Sequence, residues 1–342
     1  MRYFFFAISF SILLSSCKTT KEEANTDKGT ALLKSKKSQI YAKTITSEEL
    51  KTMLYAYSSD EFEGRFTGEE GQKKAVAYLR DFYISNNIGS PFKGNDYYQE
   101  IPKSFFGGAA KNDSENVLAF IEGSEKPEEV IIISAHLDHI GIEHGEVFNG
   151  ADDDGSGTIA MLEIAQAFKL AQKAGHGPKR SLLFLHVTGE ELGLFGSRYY
   201  TDVDPIFTLK NTVANLNIDM IGRVDDNHKN GENYLYLIGS DKLSKELHNV
   251  SQAVNDKYIK LDLDYRYNDD NDPNRFYYRS DHYNFAKNNV PVIFYFNGTH
   301  EDYHKATDTP DKINYGYLET RTRLIFHTAW ELANRKDRVK LD

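Results

Sequence analysis

The chain has 342 residues, of which 40% are hydrophobic and 27% are charged. This composition is ordinary for a folded domain and excludes general intrinsic disorder. The formal net charge of −10 disfavours broad binding of polyanions, so we expect no nucleic-acid partner. The single cysteine excludes an intrachain disulfide and a cysteine-rich zinc site.

The N-terminus has the layout of a secretory signal. Arg2 precedes an apolar run from Tyr3 to Leu14, which is too short to span a bilayer comfortably as a helix. The sequence Leu14-Ser15-Ser16-Cys17 resembles a bacterial lipobox. That resemblance implies removal of residues 1–16 and acylation of Cys17; the alternatives are an ordinary signal or an uncleaved anchor. We therefore expect a protein of the bacterial cell envelope that touches the membrane only through its lipid anchor.

The remainder divides into a tether and one domain. Residues 17–40 are polar and nearly free of aromatic side chains, which predicts a flexible tether. No internal repeat follows, so we predict a single domain over residues 41–340. Helical spacing of apolar residues is found over 46–57, 71–85, 156–173 and 317–334. Short apolar runs at 117–121, 130–135, 182–187, 213–218, 234–238 and 290–296 have the length of strands. This alternation predicts an α/β fold with a mostly parallel central sheet.

Polar residues follow the predicted strands where each strand ends. They are His136 and Asp138, the run Asp152-Asp153-Asp154, the pair Glu190-Glu191, Asp219, and the group His300, Tyr303 and His304. Each alone is compatible with an ordinary turn or helix cap. Ligands of open α/β sheets bind beyond the carboxyl ends of the strands, however, so their common placement there favours one functional site.

The residue types indicate a metal centre. Imidazoles and carboxylates without a thiolate suit zinc, cobalt or manganese. Five donors are too many for one catalytic zinc, which takes three protein ligands and a water. Two metals that share a carboxylate accommodate them, and such pairs activate a bridging water.

These motifs, in this order, resemble the co-catalytic di-zinc aminopeptidase family, which also includes glutamate carboxypeptidase II and the glutaminyl cyclases. The resemblance rests on His136-x-Asp138, Gly150-Ala151-Asp152-Asp153-Asp154-Gly155-Ser156-Gly157, Gly189-Glu190-Glu191-Leu192-Gly193, Asn217-Ile218-Asp219-Met220 and Tyr303-His304. It extends to Glu63-Gly64-Arg65-x-x-Gly68 upstream and Asp308-Thr309-Pro310-Asp311 downstream. It implies a three-layer α/β/α domain that binds two Zn²⁺ ions.

The resemblance also implies a role for each residue. His136 and Asp219 would bind one metal, Glu191 and His304 the other, and Asp153 would bridge them. Glu190 would be the general base, Asp138 would orient the His136 ring, and Tyr303 would polarise the substrate carbonyl. We expect Glu190 and Glu191 to begin a helix, where adjacent side chains diverge by about 100°. His300 competes with His304 as a ligand, and His139, His144 and His186 are expected to be surface or core residues.

The implied activity is hydrolysis of N-terminal peptide bonds by a metal-bridged water, with peptides as substrates. Two alternatives within the fold are a glutaminyl cyclase and a carboxypeptidase. The carboxypeptidase would need a cationic pocket, for which Arg223 and Arg279 are the candidates. A non-enzymatic binding lipoprotein is a third alternative, and the presence of every ligand together with Glu190 argues against it.

Overall fold

The computed structural model describes Met1 and residues 31–34, 36–229 and 233–342. The predicted signal, the lipobox and most of the tether therefore lie outside the described residues. Within those ranges the α-helices are α1 (Lys37–Ala42), α2 (Ser47–Tyr57), α3 (Glu70–Ser85), α4 (Gly157–Lys173), α5 (Phe195–Asp202), α6 (Lys245–Tyr258), α7 (His282–Ala286) and α8 (Tyr315–Asn334). No helix among the described residues is long and apolar enough to cross a membrane.

In the part of the chain that the structure describes, ten strands form an eight-stranded sheet and a separate hairpin. They are β1 (Tyr98–Ile101), β2 (Ser114–Ile121), β3 (Lys126–His136), β4 (Gly141–Glu143), β5 (Glu146–Phe148), β6 (Arg180–Val187), β7 (Thr212–Ile218), β8 (Tyr234–Ile238), β9 (Asp262–Asp264) and β10 (Val292–Phe296). The strand order of the large sheet is β1-β2-β6-β3-β7-β10-β8-β9, and β4 pairs with β5. The four central strands β6, β3, β7 and β10 are mutually parallel, whereas β2 and β8 join them in antiparallel fashion.

Strand β3 shows why the sheet has helices on both faces. Its apolar run has no polar alternation, and Val130 to Ile133 are all fully buried. Ile131 and Ile133 pack in the core that also contains residues of α4 and α8, while Val130 and Ile132 pack in a second core with residues of α5 and α7. Because successive strand side chains point to opposite faces, this run requires an apolar cover on each side. The predicted three-layer α/β/α fold, with a mixed and mostly parallel sheet, is confirmed.

Two boundaries differ from the sequence-based expectation. Helix α1 begins at Lys37, inside the segment expected to be a tether, and buries Tyr41. The backbone N–H of Leu33 donates to the Glu331 carboxylate, so the folded part of the chain begins before residue 41.

Glu190 and Glu191 lie in a turn, and α5 begins only at Phe195. The expectation of a helix start at this pair was wrong: the turn, closed by a hydrogen bond from Gly193 N–H to the Glu190 carbonyl, separates the pair from the helix.

Candidate metal centre

The carboxyl edge of the parallel strands brings the predicted metal ligands together. His136 is the last residue of β3, and Asp219 directly follows β7. Nε2 of His136 lies 3.1 Å from Oδ1 of Asp153 and 3.7 Å from Oδ1 of Asp219. All three side chains are buried. These three residues form one candidate ligand set.

A second set lies on the other side of Asp153. Nε2 of His304 lies 3.1 Å from Oδ2 of Asp153 and 3.2 Å from Oε2 of Glu191. Asp153 thus presents one carboxylate oxygen to each set. This is the arrangement that a carboxylate shared by two metals requires.

The spacing of the donor atoms fits divalent metals. Atoms that ligate one tetrahedral zinc at 2.0–2.1 Å lie about 3.3 Å from each other. The four separations within the two sets run from 3.1 to 3.7 Å. Two imidazoles and three carboxylates with no thiolate are also a donor set that zinc, cobalt and manganese accept. The residues present therefore fit a pair of such ions.

The three consecutive aspartates have three different surroundings. Asp152 accepts hydrogen bonds from Gly222 N–H at 2.7 Å and from the Asn297 amide at 3.1 Å. Asp154 accepts from the backbone N–H groups of His136, Gly157 and Met220. Asp152 and Asp154 therefore connect neighbouring loops and strands. Asp153 alone faces the imidazoles of both sets.

The ionisation of Asp153 reflects this position. Burial alone would raise the pKa of Asp153, but the adjacent imidazoles of His136 and His304 lower it well below its usual value. Burial also raises the pKa of Asp154, and there no partner reverses it. The anionic form of Asp153 is therefore favoured, and an anion is the form that binds a metal.

Asp138 holds the His136 ring through its main chain. Nδ1 of His136 lies 3.1 Å from the carbonyl oxygen of Asp138 and 4.0 Å from its carboxylate. The carboxylate instead accepts hydrogen bonds from the Thr67 hydroxyl at 2.8 Å and from Glu190 N–H at 3.2 Å. The orienting contact expected of the carboxylate is thus made by the carbonyl oxygen. The carboxylate fixes the backbone of the Glu190 turn.

The side chains of Glu190 and Glu191 point to different places. Glu191 faces His304, whereas Glu190 lines a cavity beside Asp219. Burial, reinforced by the charges of Glu191 and Asp219, raises the pKa of Glu190 well above its usual value despite the opposing effect of His136. A carboxyl with a raised pKa that faces a cavity has the properties of a proton acceptor and donor.

The cavity in front of both sets has a charged side and an apolar side. Asp153, Glu190, Asp219 and His304 line the charged side, and Met220, Phe276, Phe294 and Phe296 line the apolar side. Tyr303 also lines the cavity, and burial raises the pKa of its hydroxyl, which therefore keeps its proton.

The two arginines predicted as candidates for a cationic pocket differ in position. Arg279 is the one basic side chain of the cavity lining apart from His304. Arg223 is not part of that lining and is paired with Asp302 at 2.9 Å.

The other four histidines that the sequence analysis considered lie in different surroundings. Nε2 of His300 lies 3.2 Å from Oδ2 of Asp152 and outside both sets, whereas His304 lies within one. His186 is a core residue whose Nε2 lies 2.7 Å from the Tyr83 hydroxyl, and His144 is exposed in the hairpin loop. His139, expected to be a surface or core residue, is buried with Nδ1 2.7 Å from Oε1 of Glu191. Its signal in the sequence was its place three residues after His136, beyond the same strand end.

Comparison with known proteins agrees with the observed fold. A probable aminopeptidase of Saccharomyces cerevisiae is 28% identical over 228 residues, which cover 64% of this chain and 57% of the yeast protein. The chain thus spans little more than half the length of that relative. The Legionella pneumophila LapA aminopeptidase has a similar fold, with a TM-score of 0.69 and 20% identity over 90% of this chain and 77% of that one. A Porphyromonas gingivalis glutaminyl cyclase has a TM-score of 0.61 at 16% identity over 83% of this chain and 97% of that one.

The family itself follows from a longer match. The model of Peptidase family M28 matches residues 116–329, a span that runs from β2 into α8 and contains every predicted metal ligand. That span is more than half of the chain. The chain therefore belongs to peptidase family M28.

Proposed function

We propose that this protein is a two-metal aminopeptidase that hydrolyses N-terminal peptide bonds. The observation that carries the proposal is the position of Asp153, whose two carboxylate oxygens face two different ligand sets at the edge of a cavity lined by Glu190. Two divalent metals, zinc by preference, would be held by His136, Asp153 and Asp219 and by Asp153, Glu191 and His304. When bound, such a pair polarises a carbonyl and acidifies water.

The chain's own residues would do the rest of the chemistry. Glu190 would accept a proton from the attacking water and return it to the leaving amine, so that the peptide bond is replaced by a carboxylate and a free amine. The protonated hydroxyl of Tyr303 would donate a hydrogen bond to the substrate carbonyl oxygen. Meanwhile the apolar side of the cavity, with Phe276 and Phe296, would hold an apolar N-terminal side chain.

The charge of the cavity favours the aminopeptidase over the carboxypeptidase alternative. Carboxylates line one side of it and would attract the ammonium group of a peptide N-terminus. A carboxypeptidase needs a cation for the terminal carboxylate. Of the two candidates, Arg223 is already paired with Asp302. Arg279 lines the cavity, but it is exposed and lies 3.5 Å from the Tyr303 hydroxyl.

A substrate comparison tests the proposal. The purified zinc-loaded protein would be offered leucyl and phenylalanyl chromogenic amides, a short peptide with a free C-terminal carboxylate, the same peptide with an acetylated N-terminus, and a peptide beginning with glutamine. We expect release of free N-terminal residues and no cleavage of acetylated peptides. Pyroglutamate formation without hydrolysis would identify a cyclase, and C-terminal trimming of acetylated peptides would identify a carboxypeptidase.

The proposed location rests on the sequence alone. The lipobox resemblance at Cys17 supports a lipid-anchored protein of the bacterial envelope, with residues 1–16 removed. A Cys17→Ala variant should lose labelling by a fatty-acid probe and leave the membrane fraction or stay unprocessed. Normal processing with full membrane retention would show that the anchor lies elsewhere.

A further inference from the structure

His139 is a buried histidine next to the second ligand set. It lies in the loop after β3, three residues beyond His136, and its side chain is fully buried. Its Nδ1 is 2.7 Å from Oε1 of Glu191 and 3.8 Å from Oδ2 of Asp153. Two roles are open to such a residue, either a further metal ligand or a partner of the ligand Glu191.

The distances distinguish these roles. Two atoms bound to one tetrahedral zinc lie about 3.3 Å apart, a separation that His304 matches with both Asp153 and Glu191. The 2.7 Å between Nδ1 of His139 and Oε1 of Glu191 is instead the length of a charge-assisted hydrogen bond. His304 faces the other oxygen, Oε2. Glu191 thus offers one oxygen to His139 and the other to the metal position.

The chemistry of the pair gives the same assignment. An ionised carboxylate only accepts hydrogen bonds, so Nδ1 of His139 must carry the hydrogen of this contact. A protonated ring nitrogen has no lone pair for a metal. The other nitrogen, Nε2, is buried with no hydrogen-bond partner among the described residues. Among the described residues, the contact with Glu191 is therefore the one hydrogen bond that the His139 side chain makes.

The surroundings hold the ring in place. Gly150 lies against it, and a Cβ at that position would come within 2.6 Å of Cγ and Cδ2 of the imidazole. The backbone N–H of His139 donates to the carbonyl of Arg65, whose own guanidinium donates to the carbonyl of Gly150. The loop that carries His139 and the loop of Gly150 that packs against its ring are therefore both hydrogen-bonded to Arg65.

We propose that His139 is a positioning residue for the metal ligand Glu191, donating from Nδ1 to Oε1 so that Oε2 alone faces the metal shared with Asp153 and His304. The inference rests on the metal site of the proposed function, but it concerns metal binding and not the choice of substrate. Hydrogen bonds to metal-ligating side chains typically change metal affinity by about 10- to 100-fold.

Metal titration of three variants tests the proposal without any substrate. Zn²⁺ would be titrated against a chelator of known affinity into the wild type, His139→Leu, His139→Asn and the matched control His186→Leu. Asn keeps an N–H donor near the position of Nδ1, and His186 is also a buried histidine with one hydrogen bond. We expect one of two zinc ions to bind about 10- to 100-fold more weakly in His139→Leu, the other to be unchanged, and Asn to restore most of the loss.

The His186→Leu control separates metal affinity from folding, because it should lower the melting temperature of the metal-free protein and leave both zinc affinities unchanged. A double-mutant cycle with Glu191→Gln then locates the effect. If His139 acts through Glu191, adding His139→Leu to Glu191→Gln weakens zinc binding no further.

Four results would overturn the inference. They are unchanged zinc affinity in His139→Leu, losses that add in the double variant, failure of Asn to rescue, and a wild type that binds no second metal. The last result would also refute the two-metal site, whereas the first three leave the proposed function intact.

Discussion

The hydroxyl of Ser280 donates a 2.6 Å hydrogen bond to Oδ2 of Asp219. The other oxygen of this carboxylate, Oδ1, faces His136. Ser280 in turn accepts from the amide of Asn217, whose own oxygen accepts from Ser134 on the neighbouring strand. A chain of buried polar groups thus runs from the sheet to one proposed metal ligand and fixes which of its oxygens is free.

Ser280→Ala should weaken the metal held by His136 and Asp219. Without the hydroxyl, the carboxylate loses its orienting donor, and the expected loss of affinity is about 10-fold or more. Zinc titration against a chelator measures it. Ser240→Ala, which removes another buried hydroxyl that contacts His248, is the control and should leave metal affinity unchanged.

Glu190→Gln and Glu191→Gln should separate the base from the ligand. Glu190→Gln keeps the size of the side chain but removes the base, so kcat should fall by about 100-fold or more with metal content near that of the wild type. Glu191→Gln should weaken metal binding, because a neutral amide is a poor ligand for a divalent ion. Excess zinc should restore part of the activity of Glu191→Gln only. Rescue of Glu190→Gln instead would show that the two roles are reversed.

Arg65→Met should destabilise the loops behind the metal centre. The buried guanidinium donates to the carbonyls of Tyr57, Leu137, Asn149 and Gly150. A buried carbonyl without a donor costs about 1–3 kcal/mol, so we expect the free energy of unfolding to fall by about 3 kcal/mol or more in urea denaturation. Arg266→Met removes an exposed ion pair and should cost less than about 1 kcal/mol. Equal effects of the two variants would contradict the structural role.

Buried neutral histidines should make stability fall in acid. Burial lowers the pKa of His186 from its ordinary value of 6.5 to about 3. The unfolded chain therefore binds a proton between about pH 6.5 and pH 3 that the folded state does not, so stability rises with pH across this window. Relative to His186→Gln, the wild type should lose about 1.4 kcal/mol per pH unit below pH 6.

Denaturant unfolding at pH 7, 6, 5 and 4 measures this difference. His144→Gln, which removes an exposed imidazole, is the control. A difference between the wild type and His186→Gln that does not change with pH would show that the folded protein protonates His186 as readily as the unfolded chain does.

The fold class and the edge of the sheet that carries the candidate site were predictable from the order of residues. Apolar runs without alternation require cover on both faces, and β3 has that cover. Parallel strands end at one edge, so His136, Asp219 and the Glu190 turn could be placed together from their positions after predicted strands. The family was also predictable, because its motifs are local runs of residues.

The division of the donor atoms between the two ligand sets follows from long-range packing and was not predictable from the order of residues. Residue order does not say that Asp153 gives one oxygen to His136 and the other to His304, because this depends on the packing of two loops far apart in the chain. The same holds for His139, whose partner Glu191 is 52 residues away. The order of residues also does not show that the carbonyl oxygen of Asp138 is the atom that contacts His136. Its carboxylate instead accepts a hydrogen bond from Thr67, which lies in another loop. Local patterns specify which side chains reach the edge, whereas long-range packing specifies which atom of each side chain meets which partner.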